Sequence, residues 1–230
     1  MIKKDKLTDV FFDLDHTLWD FEMNSAATFN QILAPYGFHF TVEDFMEVYS
    51  PINHAYWKQY RENVISTEVL RFKRLEDTFI QLGYPQSSLV INQISDDYIT
   101  NLSSYTYLFK GTIDLLTELK QRYRLHIITN GFEGVQQKKI SNAGLGYFFE
   151  VVLTAEKAGI KKPSPIIYNK ALDLACTKAE NALMIGDSFE ADIEGALTVG
   201  MQAIHFNSHQ EPHHTHCPIV NELTEIRQYL

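Results

Sequence analysis

The sequence predicts an α/β fold: a parallel sheet with helices on both faces, interrupted early by an inserted α-helical segment. Short apolar runs alternate with stretches of helical pattern, and several of those runs end in acidic residues, threonine or asparagine. Alternation of this kind builds parallel sheets from strand–helix–strand units, whose ligands gather beyond the carboxyl ends of the strands. More than a hundred residues separate the first run from the second, whereas one such unit needs only about 30. The insert is therefore placed at residues 19–104, and the core at residues 1–18 and 105–230.

The first run, Leu7 to Leu14, is rich in Phe and ends in acids, the pattern of a buried strand with a polar carboxyl end. Within the insert, Phe29, Ile32, Leu33 and Tyr36 share a helical face. Thr41 and Asp44 form a capping-box pattern ahead of Phe45, Val48, Tyr49 and Ile52, with Pro51 expected to kink or end that helix. Val69, Phe72, Leu75, Phe79 and Leu82 make a further stripe closed by Gly83 and Pro85, and Ile91, Ile94, Tyr98 and Leu102 make another. Aromatics at helical spacing mostly read as core packing. After Gly111, a helix over Ile113 to Tyr123 returns to the core. The second strand is Arg124 to Thr129, and later strands end at Thr154, at Gly186 and near His205. A helix from about Pro165 to Ala175 is expected to bury Cys176 in its core.

Bulk properties exclude several function classes. Twenty basic against 29 acidic residues give a net charge of −9, with no long basic run, so a nucleic-acid partner is disfavoured; a small phosphorylated metabolite is not. Two distant cysteines, Cys176 and Cys217, form no CxxC pair, which argues against a disulfide framework or thiolate metal site. No apolar stretch reaches the ~18 residues of a membrane span, and the basic N-terminus is followed by Asp9, Asp13 and Asp15 rather than a signal-peptide core. The expected setting is cytoplasmic.

Four strings carry chemistry. Asp13-Leu14-Asp15-His16-Thr17 puts two carboxylates at the end of the first strand, where a regular strand would point both to one face. Such a pair suits a nucleophile with an acid–base partner near a cation. Solvated acids at a strand end fit this string alone equally well. Thr129-Asn130-Gly131 offers a hydroxyl and backbone N–H groups for a phosphate oxygen, or an ordinary turn. Lys161-Lys162-Pro163 can supply a point charge to phosphate, or two solvated lysines. Gly186-Asp187-Ser188-Phe189-Glu190-Ala191-Asp192 adds strand-end acids suited to magnesium, which takes one or two carboxylates and keeps several waters, or merely a helix cap.

In this order, and with a helical insert after the first, the four strings resemble the motifs of the haloacid-dehalogenase-like superfamily over essentially the whole chain. The resemblance implies a Rossmann-like core with a helical cap that closes over the site and selects the leaving group. It makes Asp13 the nucleophile and Asp15 the acid–base residue, with Thr129, Asn130 and Lys162 binding substrate phosphate. Mg2+ would be held by Asp13, the Asp15 backbone carbonyl and Asp187, supported by Asp192. The implied reaction is phosphomonoester hydrolysis through an aspartyl-phosphate. The strings from Phe11 to Phe21 and from Ile128 to Phe132, with Gln136 and Gln137 behind, look like the housecleaning pyrimidine 5′-nucleotidase branch, which implies a nucleoside monophosphate, including noncanonical ones, as substrate.

Rival readings keep the fold. A dehalogenase has no use for an acid–base group at Asp15; a phosphatase acting on sugar phosphates fits the same motifs; a phosphomutase would need a cap residue that cannot be located in the sequence. A catalytically silent binding module sits poorly with a full set of catalytic side chains. Trp19, Phe21, Tyr56, Trp57 and Arg71 are candidates for contacting a base or sugar. His205, His209, His213, His214, His216 and Cys217 match no compact zinc spacing and, with Pro212 and Pro218, read as a surface loop; His16 and His126 read as local structure.

Overall fold

Val10, Phe11 and Phe12 are wholly buried on alternate faces of one strand, and that double burial is what a parallel sheet covered on both sides demands. A computed structural model describes residues 2–230. Among the described residues, the strands are β1 (Asp9–Phe12), β2 (Arg124–Thr129), β3 (Phe149–Thr154), β4 (Ala182–Gly186), β5 (Gln202–Phe206) and the two-residue β6 (Ile219–Val220), which the sequence reading does not include. They form one parallel sheet in the order β3-β2-β1-β4-β5-β6. The order runs outward from β1 to β3, then resumes on the other side of β1 with β4. This reversal makes a topological switch point between β1 and β4, where parallel sheets open a crevice for ligands.

The chain divides into two units, the segment up to Phe21 with Tyr107–Leu230, and Glu22–Thr106. Trp19 and Asp20 belong to the sheet-bearing unit: Trp19 bridges to Leu108, and the Asp20 N–H donates to the Tyr107 carbonyl at 3.0 Å. The helices of the other unit are α1 (Phe21–Leu33, whose first residue still belongs to the sheet-bearing unit), α2 (Val42–Arg61), α3 (Thr67–Gln81) and α4 (Ser88–Asn101). The Thr41–Asp44 capping box is present, with the Asp44 N–H on Thr41 Oγ1 at 3.1 Å and the Thr41 N–H on Asp44 Oδ2 at 2.9 Å. Pro51 neither ends nor interrupts α2, which continues through it to Arg61.

On α3 the buried face is Leu70, Arg74, Leu75, Thr78 and Phe79, rotated from the expected stripe, and Val69 is exposed. Arg74 causes the rotation: its guanidinium is buried, donates to Asn53 Oδ1 at 2.8 Å and lies over the rings of Tyr98 and Tyr49. An apolar periodicity cannot register a buried polar side chain.

In the sheet-bearing unit, α5 (Thr112–Leu119), α6 (Glu133–Asn142), α7 (Ala155–Ala158), α8 (Pro165–Leu174) and α9 (Gly195–Thr198) connect the strands. Phe11, Ile128, Leu153 and Met184 pack with Ile167, Tyr168, Ala171 and Leu172 of α8 as one core layer. Cys176 is not part of it: it lies beyond α8 with φ 49° and is exposed. Among the described residues, no helix is long and apolar enough to cross a membrane.

Candidate active site

The site begins where β1 ends. The Asp13 N–H still donates to Ile185 of β4 at 2.9 Å, which holds Asp13 in line with the strand. The chain then turns sharply: the Leu14 carbonyl accepts from both Leu18 and Trp19, and His16 takes a left-handed φ of 61°. This turn sends the two carboxylates to different partners, unlike the shared face of a regular strand.

Asp13 Oδ1 lies 2.6 Å from Lys162 Nζ, and the same ammonium reaches Asp192 Oδ1 at 2.6 Å and the Ile128 carbonyl at 2.8 Å. All three lysine donors are thus engaged. Burial alone would lower the Lys162 pKa, but the two carboxylates hold it above its ordinary range. Asn130 fixes the lysine's backbone, accepting its N–H at 2.8 Å and donating to its carbonyl at 3.1 Å. That clasp engages the Asn130 side-chain amide that the sequence reading assigns to substrate. The Lys162–Pro163 peptide is cis.

Asp187 follows β4. Its Oδ1 accepts from the Thr17 hydroxyl at 3.1 Å, and its Oδ2 faces His209 Nε2 at 3.2 Å. Asp192 sits on a π-helical turn, Phe189–Glu194, with Oδ2 accepting the Ser188 N–H at 3.1 Å. Gly186 leaves room for Asp192, because a Cβ there would fall 2.3 Å from Asp192 Oδ2.

Among the described residues, the acids that can jointly hold a metal ion are Asp13, Asp187 and Asp192, with ligand atoms all within 4.8 Å of one another. Their charges are unequally compensated. Burial pushes the Asp13 pKa well up, with Asp192 and Asp187 adding to it against the pull of Lys162. Burial likewise raises Asp192. Asp187 goes the other way: burial would raise it, but the neighbouring His209, with His16 and Lys162, holds it at about 2. Three buried carboxylates around one lysine leave excess negative charge, and an all-oxygen donor set fits a hard divalent cation such as Mg2+.

Asp15 stands apart from that cluster. Its Oδ1 lies 2.6 Å from Lys139 Nζ and its Oδ2 accepts from Gln136 Nε2 at 2.9 Å. The same Gln136 nitrogen lies 2.8 Å from Thr129 Oγ1, which also accepts the Gly131 N–H at 3.1 Å. With two donors aimed at its oxygen, the Thr129 hydroxyl keeps its own proton to give to a phosphoryl oxygen.

The structure thus joins Asp13, Lys162 and Asp192 in one network, and Asp15 and Thr129 in another through Gln136. The sequence reading has no role for Lys139, Thr17 or His209, and it notes Gln136 only for its likeness to one branch. Apolar periodicity gives no signal for Gln136 and Lys139, because α6 buries Gln136, Lys139 and Ile140 at helical spacing, a largely polar face turned inward. Of the histidines, His205 is no loop residue. It is buried on β5, donates from Nε2 to the Asp187 carbonyl at 2.8 Å and meets His214 Nε2 through Nδ1 at 3.0 Å. Trp19 is fully buried, with the Lys139 ammonium 4.0 Å from its ring centroid, so it presents no surface to a base or sugar. In the helical unit, Tyr56 bonds Asp77 at 2.6 Å, Arg71 pairs with Asp96 at 2.6 Å, and Trp57 packs on Tyr60.

The chain is similar to several known proteins. The family model of haloacid dehalogenase-like hydrolases matches residues 10–206. Pyrimidine 5′-nucleotidase PynA of Streptococcus pneumoniae is 30% identical over 96% of this chain and 92% of its own length. Pyrimidine 5′-nucleotidase YjjG of Escherichia coli is 29% identical over 87% and 86%. The HAD-hydrolase YfnB of Bacillus subtilis, solved bound to magnesium, superposes with a TM-score of 0.86 at 25% identity, covering 97% of this chain and 98% of its own.

Proposed function

Since the chain belongs to the haloacid dehalogenase-like hydrolase family, we propose that it is a magnesium-dependent phosphomonoesterase acting on pyrimidine nucleoside monophosphates, noncanonical ones included. The observation that carries the chemistry is the separation of two strand-end carboxylates into different environments. Asp13 is locked on Lys162 among other acids, and Asp15 is held apart by Lys139 and Gln136. Two acids with different surroundings take different roles. The substrate class is supported by the likeness to PynA and YjjG over most of the chain.

Asp13 attacks phosphorus in line as the P–O bond to the leaving group breaks, and protonated Asp15 gives its proton to the departing ester oxygen. The product of this step is an aspartyl-phosphate on Asp13. Asp15, now a carboxylate, takes a proton from the water that attacks phosphorus, and the bond to Asp13 breaks to release phosphate. Thr129 donates its hydroxyl to a phosphoryl oxygen, while Lys162 orients the nucleophile and keeps positive charge beside the reacting group. Asp13, the Asp15 carbonyl and Asp187 would hold Mg2+, with Asp192 bracing Lys162; the bound ion supplies charge neutralisation at the phosphoryl oxygens.

The test is phosphate release, with and without Mg2+, across UMP, dUMP, dTMP, purine monophosphates and sugar phosphates, with Asp13→Asn as control. Preference for pyrimidine monophosphates, absent in the variant, supports the proposal. Preference for sugar phosphates would keep the chemistry and remove the nucleotide assignment, and full activity in Asp13→Asn would remove both.

A further inference from the structure

We infer that Lys139 and Gln136 are positioning residues that fix the orientation of the acid–base carboxylate and tie it to the phosphoryl-binding hydroxyl; this rests on the phosphatase reading above. Both side chains project from one face of α6, three residues apart, and both are buried although polar, at 2% and 1% exposure. Lys139 meets Asp15 Oδ1 at 2.6 Å, and Gln136 meets Oδ2 at 2.9 Å. A free aspartate carboxylate rotates about its last bond; one donor on each oxygen sets its plane. Each oxygen keeps a further lone-pair site, so the clamp leaves a position for the transferred proton.

Three further features show that the clamp is built into the fold. The Lys139 ammonium lies 4.0 Å from the buried Trp19 ring centroid, a cation–π contact that fixes its side-chain path. Gln136 crosses directly over Gly131: a Cβ at that glycine would fall 2.4 Å from the Gln136 amide carbon and nitrogen. Gln136 also bridges Asp15 to Thr129 at 2.8 Å, so the group that moves the proton and the group that binds the phosphoryl oxygen share one donor. A buried ammonium is costly, and an apolar side chain would fill a core position more cheaply. Its placement on this carboxylate therefore points to orientation of the reacting group.

The test compares Lys139→Met and Gln136→Leu with the wild type, using kcat/KM, which reports the steps up to transfer onto Asp13. One ester is UMP, whose alkoxide needs a proton to leave; the other is p-nitrophenyl phosphate, whose phenolate does not. Lys139→Met is expected to lose about 100-fold on UMP, mainly in kcat, and less than about fivefold on p-nitrophenyl phosphate, whereas Gln136→Leu, which also releases Thr129, is expected to lose on both esters but at least about tenfold more on UMP. In an Asp15→Asn background, Lys139→Met should add little further loss, because the clamp then has no acid to orient. Gly131→Ala, which displaces Gln136 without touching Lys139, should show the same leaving-group dependence and keeps the inference open to test if Lys139→Met does not fold. Equal losses on both esters, or undiminished UMP turnover, would overturn this inference alone. A wild-type protein inactive on both esters would overturn the phosphatase reading and this inference with it.

Discussion

Asp9 and Asp13 lie four residues apart on the same chain segment, one opening β1 and the other just past its end, and both are buried beside basic side chains. Their surroundings differ in completeness. Asp9 accepts from Thr8 Oγ1 at 2.6 Å, from Arg124 Nη2 at 3.0 Å and from His126 Nε2 at 3.0 Å. Burial would raise its pKa, but hydrogen bonds from Thr177, Thr8, His126 and Arg124 outweigh it and hold the group below its ordinary value. Asp13 has one lysine, shared with Asp192, and its pKa is raised. A carboxylate with all its demands met stabilises a fold. One left short among other acids is held ready for a cation and for an electrophile.

The largest expected contrast is therefore in turnover. Asp13→Asn should cost at least about 10⁴-fold in kcat, the scale of removing a nucleophile, with a melting temperature at or above that of the wild type, because the variant relieves repulsion with Asp187 and Asp192. A large drop in melting temperature would show that Asp13 supports the fold as Asp9 does. Magnesium sharpens the same contrast. Added Mg2+ should raise the melting temperature of the wild type, by up to about 3 kcal/mol of stability at 100-fold over its Kd, and should raise that of Asp9→Asn similarly. Asp187→Asn should abolish the shift; an undiminished shift in that variant would place the ion elsewhere.

Asp9→Asn reverses the pattern. It leaves the Arg124 and His126 donors without a charged acceptor, and about 2–3 kcal/mol of stability should be lost in denaturant unfolding. The kcat of the folded fraction should stay within about twofold of the wild type, since the variant lies at the opposite end of the strand from the reacting groups. A loss of kcat without loss of stability would break the comparison.

The two acids also differ in how far sequence reveals them. Asp13, Thr129 and Asp187 stand at strand ends behind apolar runs, a pattern set by backbone period and visible without coordinates. Lys162 is reached by its string alone. The clamp on Asp15 was hidden, because Gln136 and Lys139 occupy the inward face of a helix where periodicity expects apolar residues. Arg74 hid the α3 register for the same reason. His209 was hidden differently: it reaches Asp187 from a segment between β5 and β6, and no spacing encodes that approach. Hydrophobic patterning reports where apolar surface goes. Buried polar groups are placed by partners distant in sequence, as Asp9 is by Arg124 and His126.

That pairing yields the smallest and most specific expectation, a pH dependence of stability. His126 is fully buried, its pKa lowered by burial against the pull of Asp9, and its Nδ1 has no hydrogen-bond partner among the described residues. Neutral His126 with its proton on Nε2 satisfies Asp9; a second proton on Nδ1 would be buried without an acceptor. Both folded-state pKa values lie below those of the unfolded chain, so the unfolded state binds more protons and stability falls as pH falls. The histidine contribution begins to be lost as pH drops below about 6.5, and the aspartate contribution follows below about 4. His126→Phe should reduce the upper part of this slope, to which His16 and His214, also held below the ordinary histidine range by burial, contribute as well, and should keep the lower part, as read from denaturant midpoints between pH 8 and about pH 2. An unchanged upper slope in that variant would assign the loss to another group and leave Asp9 with a simpler role than its partners indicate.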